Sequence, residues 1–556
     1  MSERQYIGAR YVPTFADPVE WDSLRSYEPL TIVTYLNNSY TSKKPVPAGT
    51  DLNNSEYWVL TGNYNAQIQD FNNRILKCLH TYENVSALQA DNTLTLGTIA
   101  YAQGYYTPGD GGEAYYIITG SAPAGPYITT ANGYGELIIQ DYVTPVMFGA
   151  KGDGTTDDTA AVKAAAAAGK TVFFPAGNYK VVFTAASERM INCVNGQHII
   201  MDNNAHITVA PNNYDHYYVF YAENVNNVII EGGNIHGDKI DHTYTAGSTH
   251  EFCHAVCVGG NTDNITVKNI RIDNMPGDGV SIGGDNNFTG CKNIRVQGLT
   301  IDGCRRQGIS VCEGENVIVS GNTIKNIEGT TPMSAVDVEP WLANRKITGI
   351  LVTDNVIDNC NRGYMLAVPV ANTEVDVIFA NSTMKTIRNT AIDISGGTDA
   401  TVAGMVKVND INVGYCAGHP VKIIDHTSNS FYIDIENVIV QEVHTAAGTD
   451  QWDNTVVAFY NSRYTGSDAM GNFRCKNVTA LSGNYGRYSF LGYQKPISNI
   501  TIEVPDIYYT DGGENQDTIG CSVTPGNVNI IDPTNKFTIA GSNAADVRHW
   551  VMTNPA

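Results

Sequence analysis

The sequence predicts an all-β chain whose centre is a stacked solenoid of parallel strands, and three observations carry that expectation. A five-residue phrase returns as Asp278-Gly-Val-Ser-Ile282, Gln307-Gly-Ile-Ser-Val311, Ser334-Ala-Val-Asp-Val338, Arg362-Gly-Tyr-Met-Leu366 and Thr390-Ala-Ile-Asp-Ile394, its starts 29, 27, 28 and 28 residues apart. A second phrase recurs between them: Asn227-Val-Ile-Ile230, Asn264-Ile-Thr-Val267, Asn293-Ile-Arg-Val296, Asn316-Val-Ile-Val319 and Gly349-Ile-Leu-Val352. Of 556 residues, 53 are Gly and 32 Tyr, and only 16% are charged, which suits extended β architecture better than helices. A period in the twenties, with β-branched strands and no helix, marks a unit that buries its apolar face only by stacking on copies of itself.

Along the chain, residues 1–62 are rich in aromatics: Trp21, Tyr27, Leu30-Thr-Ile-Val-Thr-Tyr35, Tyr40, Tyr57 and Trp58. Short strands separated by Asn and Pro turns predict a small β module there. The module resembles chitin-binding carbohydrate-binding modules and the amino-terminal modules of some phage tail fibres, so its aromatics are either a sugar platform or its own core. Ile68, Phe71, Ile75 and Leu79, at three- and four-residue spacing, predict one amphipathic helix over 63–90, a neck between two β regions. Residues 91–144 read as a β connector turning at Gly109-Asp-Gly-Gly112. Next comes Phe148-Gly-Ala-Lys-Gly-Asp-Gly-Thr-Thr-Asp-Asp-Thr159, which lacks the Gly-Lys-Ser/Thr ending of a phosphate loop and the final glutamate of a calcium loop. The alanine-rich Thr159–Ala168 predicts a short helix capped by Asp157, Asp158 or Thr159. The solenoid is expected over 145–445, with coils from about Val172. Residues 446–556 keep strand-like runs but lose the period, and read as terminal coils plus a cap covering the open strand edge.

A formal charge of −22 argues against a nucleic-acid partner, which would need a basic stripe. Met1-Ser-Glu-Arg-Gln5 lacks the apolar region of a secretory signal, and no apolar run approaches a membrane span. The expectation is a soluble chain made in a cytoplasm. Eleven scattered cysteines, several within rungs, suggest reduced thiols. No cofactor is expected.

Strand alternation turns the phrase into a map. Val280, Ile282, Ile309, Val311, Val336, Val338, Tyr364, Leu366, Ile392 and Ile394 point inward. Cys257, Ser281, Ser310, Asp337, Met365 and Asp393 form one outward column, and Gly259, Gly283, Cys312, Glu339, Ala367 and Ser395 a neighbouring one. Asp337 and Glu339 are therefore two carboxylates on one outward face, about 7 Å apart as i and i+2. Such a pair suits a general acid and base flanking a sugar bond, and equally suits two solvated charges. Gly283, Ser281 and Ser310 would leave a trough beside them, with Trp341 and Tyr364 as candidates for sugar stacking. Arg305, Arg306 and Glu313 flank the Ser310 rung. His250, Cys253, His254 and Cys257 have zinc-like spacing, but alternation points Cys257 away from the turn that holds the others, so no metal is expected.

The Phe148–Thr159 motif resembles the opening of the pectate-lyase-like right-handed parallel β-helix of phage tailspikes and polysaccharide depolymerases. In that family the motif is structural, and its helix caps the first coil. Glu251, His254, Asp278, Arg305-Arg306-Gln-Gly and Val336-Asp-Val-Glu-Pro340 also resemble stretches of phage β-helices. The paired aspartates and Gly-His-Gly of the polygalacturonase branch are absent, so that mechanism does not transfer. The resemblance implies a homotrimeric tailspike in the virion that joins phage tail proteins through its amino-terminal region. It would bind, and hydrolyse, a bacterial surface polysaccharide or teichoic acid. Asp337 and Glu339 are the expected acid–base pair, with Asp278 and Glu251 in reserve. Arg305, Arg306, His254, Glu313, Trp341 and Asp393 are the expected substrate contacts. A polysaccharide lyase and a non-enzymatic adhesin remain open alternatives.

Overall fold

The computed structural model describes residues 19–36, 38–63, 66–67, 69, 80–283, 290–342, 345–368, 374–396, 402–443, 455–461, 465–482, 486–492 and 497–503, and the strands 517–521, 528–531, 537–540 and 548–550. The chain divides into two compact units, residues 1–103 with 114–138, and residues 104–113 with 139–556.

In the first unit, Val19–Glu20, Ile32–Tyr35, Asn38–Ser42 and Trp58–Gly62 form a four-stranded sheet in that order. Its core is Tyr27, Val33, Val46, Leu52 and Trp58, with Trp21, Tyr40 and Tyr57 packed against them. Most of the aromatics offered as a sugar platform are thus the module's own interior. Tyr35 alone among them is clearly exposed, with Trp21 edge-on at 5.1 Å. Within the range read as one helix, His80–Tyr82 is a strand and Val85–Ala90 a six-residue helix capped by Asn84. Most of 64–79 lies outside the described residues. A second sheet of five strands spans His80–Tyr82 to Gly133–Leu137.

The second unit is a parallel β-helix: one ladder of 32 strands from Asp153–Asp157 to Arg548–Trp550. Thr159–Ala168 is the predicted helix. Asp158 precedes it and accepts the backbone N–H groups of Lys151 (2.7 Å) and Gly152 (3.0 Å), which explains the glycine-rich run before it. The strands of the recurring phrase pair in register, Val280–Ile282 on Ile309–Val311, then Ser334–Val338, Cys360–Ala367 and Glu374–Ser395. All ten residues assigned inward are fully buried. Tyr364 is among them, stacked on Phe379 at 4.9 Å with its hydroxyl donating to Ser382 Oγ, so it is core and cannot stack on a sugar.

The second phrase opens each time on a left-handed residue: φ is 59° at Asn227, 59° at Asn264, 54° at Asn293, 61° at Asn316 and 64° at Gly349. Asparagine and glycine are the residues that enter this region at least cost. Their side chains also stack, Asn264 Nδ2 donating to Asn227 Oδ1 (2.7 Å) and Asn316 Nδ2 to Asn293 Oδ1 (2.6 Å). The lost period after 445 is not a change of architecture. Thr455–Tyr460 pairs with Val421–Ile424, and the same parallel ladder runs on through Arg548–Trp550.

Candidate active site

The outward column is real as register: Cys257, Ser281, Ser310, Asp337, Met365, Asp393 and Lys422 are aligned in successive strands. Its expected exposure is not. Asp337 is 1% exposed, Ser310 2% and Asp393 4%. The cover comes in part from the first residue of each phrase. That residue lies before its strand or within its first three residues, and reaches up to the fourth residue of the next phrase. Asp278 Oδ2 accepts from Ser310 Oγ at 2.7 Å, and Gln307 Nε2 donates to Asp337 Oδ2 at 2.5 Å. Ser334 Oγ meets Met365 Sδ at 3.6 Å, and Arg362 Nε donates to Asp393 Oδ2 at 2.8 Å. Four rungs repeat one diagonal contact.

Two of these diagonals build an acid cluster. Gln307 is fully buried; its Oε1 accepts the Ser334 N–H at 2.9 Å, which leaves Nε2 to face Asp337. Asp337 Oδ1 is buried without a hydrogen-bond partner, and burial followed by the Glu339 charge holds the Asp337 carboxyl well above the usual range. Glu339, two residues on and just past the end of the Ser334–Val338 strand, is the neighbouring charge. Glu339 itself is half-buried, so it is the member of the pair that meets solvent.

Asp278 is fully buried, and that burial pushes its carboxyl up to about 6 against the opposing pull of Arg306. Arg306 Nη1 lies 3.1 Å from Asp278 Oδ2 and its Nε 2.9 Å from Glu251 Oε2. His254 accepts the Asp278 backbone N–H at Nδ1 (3.1 Å), and burial drives its imidazole down to about 3. It is therefore neutral, and its 3.8 Å approach to Asp278 Oδ2 is not an ion pair. The structure thus gathers Glu251, His254, Asp278, Arg306, Asp337 and Glu339, with Gln307 and Ser310 as braces.

Other expected contacts lie elsewhere or do other work. Arg305 donates to Thr249 O at 2.6 Å and lies over the Tyr244 ring, so it ties down the 241–250 segment. Glu313 is buried and paired with Arg345; a side chain at Gly283 would strike its Cβ at 2.7 Å, so the predicted gap at Gly283 is filled. Asp393 is held by Arg362 and by Lys422 at 3.1 Å. Trp341 stands 38% exposed two residues beyond Glu339. His250 bonds to His242 at 2.9 Å and Cys253 to Tyr214 O at 3.3 Å. Among the described residues, no group of His, Cys, Asp and Glu is placed to hold a metal ion. Alternation could not reveal Gln307, which precedes its strand, or Arg362, which follows a shift of register after Cys360. The first letter of the repeating phrase is the signal that names them.

No family model matches the chain. It is 29% identical over 217 residues to the Bacillus subtilis (strain 168) protein YclG, covering 35% of this chain and 37% of that protein. It is 24% identical over 255 residues to the SPbeta prophage-derived protein YorA of the same strain, covering 42% of this chain and 43% of that protein. The chain therefore spans less than half the length of these curated relatives. Among solved structures, the tailspike of E. coli bacteriophage HK620, a mutant in complex with a pentasaccharide, superposes with a TM-score of 0.50 at 14% identity. That match covers 73% of this chain and 80% of the tailspike, and the likeness is one of fold.

Proposed function

We propose that the chain is a phage-type tailspike that binds a bacterial surface polysaccharide and hydrolyses it along the face that carries Asp337 and Glu339. The observation that carries this reading is the carboxyl pair itself. Burial and the neighbouring Glu339 charge raise the proton affinity of the Asp337 carboxyl, and half-buried Glu339, two residues on, faces the solvent. A proton donor beside a second carboxylate is the minimal equipment for glycoside hydrolysis. In this reading Asp337 and Glu339 act as the acid–base pair, while Asp278 and Arg306 with Glu251 shape the field around them. The prophage-derived relative and the tailspike-like fold support a place in a virion, as a homotrimer docked to the tail through residues 1–62.

A binding-only role is the second reading, and the burial of Asp337 and Asp278 favours it, since a carboxyl must reach the bond it protonates. Release of new reducing ends from Bacillus surface polysaccharide separates the two. Wild type should release them, and Asp337→Asn and Glu339→Gln should each lower the rate at least a hundredfold while still binding the polymer, as expected for loss of a general acid or base. Wild type that binds without release sinks the hydrolase and leaves the adhesin.

A further inference from the structure

Resting on that reading, the charge of the glycan can be argued from the cations of the site. An anionic polymer, a polyuronate or a phosphodiester chain, needs cations not already neutralised. Arg306 sits between Glu251 and Asp278 at 2.9 and 3.1 Å. Arg362 and Lys422 converge on Asp393 at 2.8 and 3.1 Å. Three rungs below the Val280–Ile282 strand, Arg189 pairs with Glu223 at 2.7 Å and lies over the Tyr221 ring. Residues 284–289, 343–344, 369–373 and 397–401, which fall between these rungs in sequence, contain no lysine or arginine. Arg305, beside Arg306, has no carboxylate partner, but its guanidinium is engaged by Thr249 O and by the Tyr244 ring. On this face Glu251, Asp278, Asp337, Glu339 and Asp393 still outnumber Arg305, Arg306, Arg362 and Lys422, and the whole chain carries −22. An approaching polyanion is repelled both at a distance and on arrival.

Apolar surface on the same face points the same way. Phe252 is 37% exposed, follows Glu251 directly, and lies edge-on to His254 at 6.3 Å. Trp341 is 38% exposed beyond Glu339. The Phe252 rung lies three below that of Asp337, about 14 Å at about 4.8 Å per rung. Exposed aromatics at both ends of a polar cluster are the lining expected for sugar rings held by their apolar faces.

We infer that this face selects a glycan whose sugars carry no negative charge between Phe252 and Trp341. The ring faces stack on the two aromatics, and the hydroxyls take the N–H donors that Arg306 has left after its ion pairs. The same charge pattern disfavours β-elimination, which starts from a uronic acid whose carboxylate a cation must neutralise.

The test is binding of the full chain to an array of defined oligosaccharides in three classes: neutral, uronate-containing and phosphodiester-linked, at low and high salt. Binding confined to the neutral class, with affinity unchanged by salt, is the expected result. Preference for a uronate or phosphodiester glycan, weakening with salt, overturns this inference and leaves the polysaccharide-binding reading standing. Binding to none overturns both. A second measurement uses polygalacturonate and Asp393→Asn, which releases Arg362 and Lys422. The variant should gain salt-sensitive affinity, about tenfold over wild type. No gain in a variant that keeps the wild-type circular dichroism spectrum overturns the claim that paired carboxylates cancel the cations.

Discussion

Asp278 and His254 are neighbours whose proton affinities are pushed in opposite senses by the same cause, burial. Each is measurable without a substrate. An aspartate held near 6 in the fold, against about 3.9 in an unfolded chain, contributes stability that is fully present below pH 4 and lost as pH rises through 6. Wild type should therefore lose about 3 kcal/mol relative to Asp278→Asn between pH 4 and pH 7, read from urea unfolding at each pH. A difference that stays flat or grows with pH refutes the burial. His254, held near 3, works the other way. Its contribution is full above pH 6.5 and falls as the pH drops towards 3, so His254→Gln should gain on wild type under acid. The sequence identified both residues but not their states. Alternation says which side of a strand a residue takes, not what covers it, and the cover at Asp337 comes in part from Gln307, thirty residues earlier.

At the scale of the element, the left-handed residue that opens each Asn phrase sets the corner from which the next strand starts. Gly349 fills the slot that Asn316 fills one rung below. Asn316→Gly should therefore change stability little. Asn316→Val forces a β-branched residue into that region and loses the bond to Asn293, at a cost of about 1–2 kcal/mol seen as a lower urea midpoint. Equal midpoints for the two variants would sink the argument. These corners were legible because only two residue types meet their demand. Of the helix expected over 63–90, the four apolar positions that predict it, Ile68, Phe71, Ile75 and Leu79, lie outside the described residues; beyond them a helical period could not reveal the strand at His80–Tyr82 or the separate six-residue helix that buries Val85 and Leu88. Where the solenoid ends was less legible for a related reason. After 445 the rungs change length and lose the phrase, but strand pairing needs only backbone, and the ladder continues.

At the scale of the whole molecule, nine cysteines have described side chains; all are free thiols, and eight are buried. Burial raises the thiols at Cys193, Cys253, Cys291, Cys304, Cys360 and Cys475, so the thiolate that reacts is scarce as well as sheltered. A thiol reagent should label the native chain at the rate of global opening, and reductant should leave the melting temperature unchanged. Rapid labelling of several thiols under native conditions would contradict the packed ladder. The diagonal contacts carry a last implication. An acid on this face and the group that orients it come from different turns of the helix, one rung apart, and every rung offers the same two positions. Acid and brace thus behave as a cartridge that fits any slot. Ser334→Gln with Met365→Asp would repeat the Gln307–Asp337 contact one step along the axis, moving the buried acid by about 4.8 Å on an unchanged scaffold. A fold of this kind can move a polar site along its axis without changing how it folds.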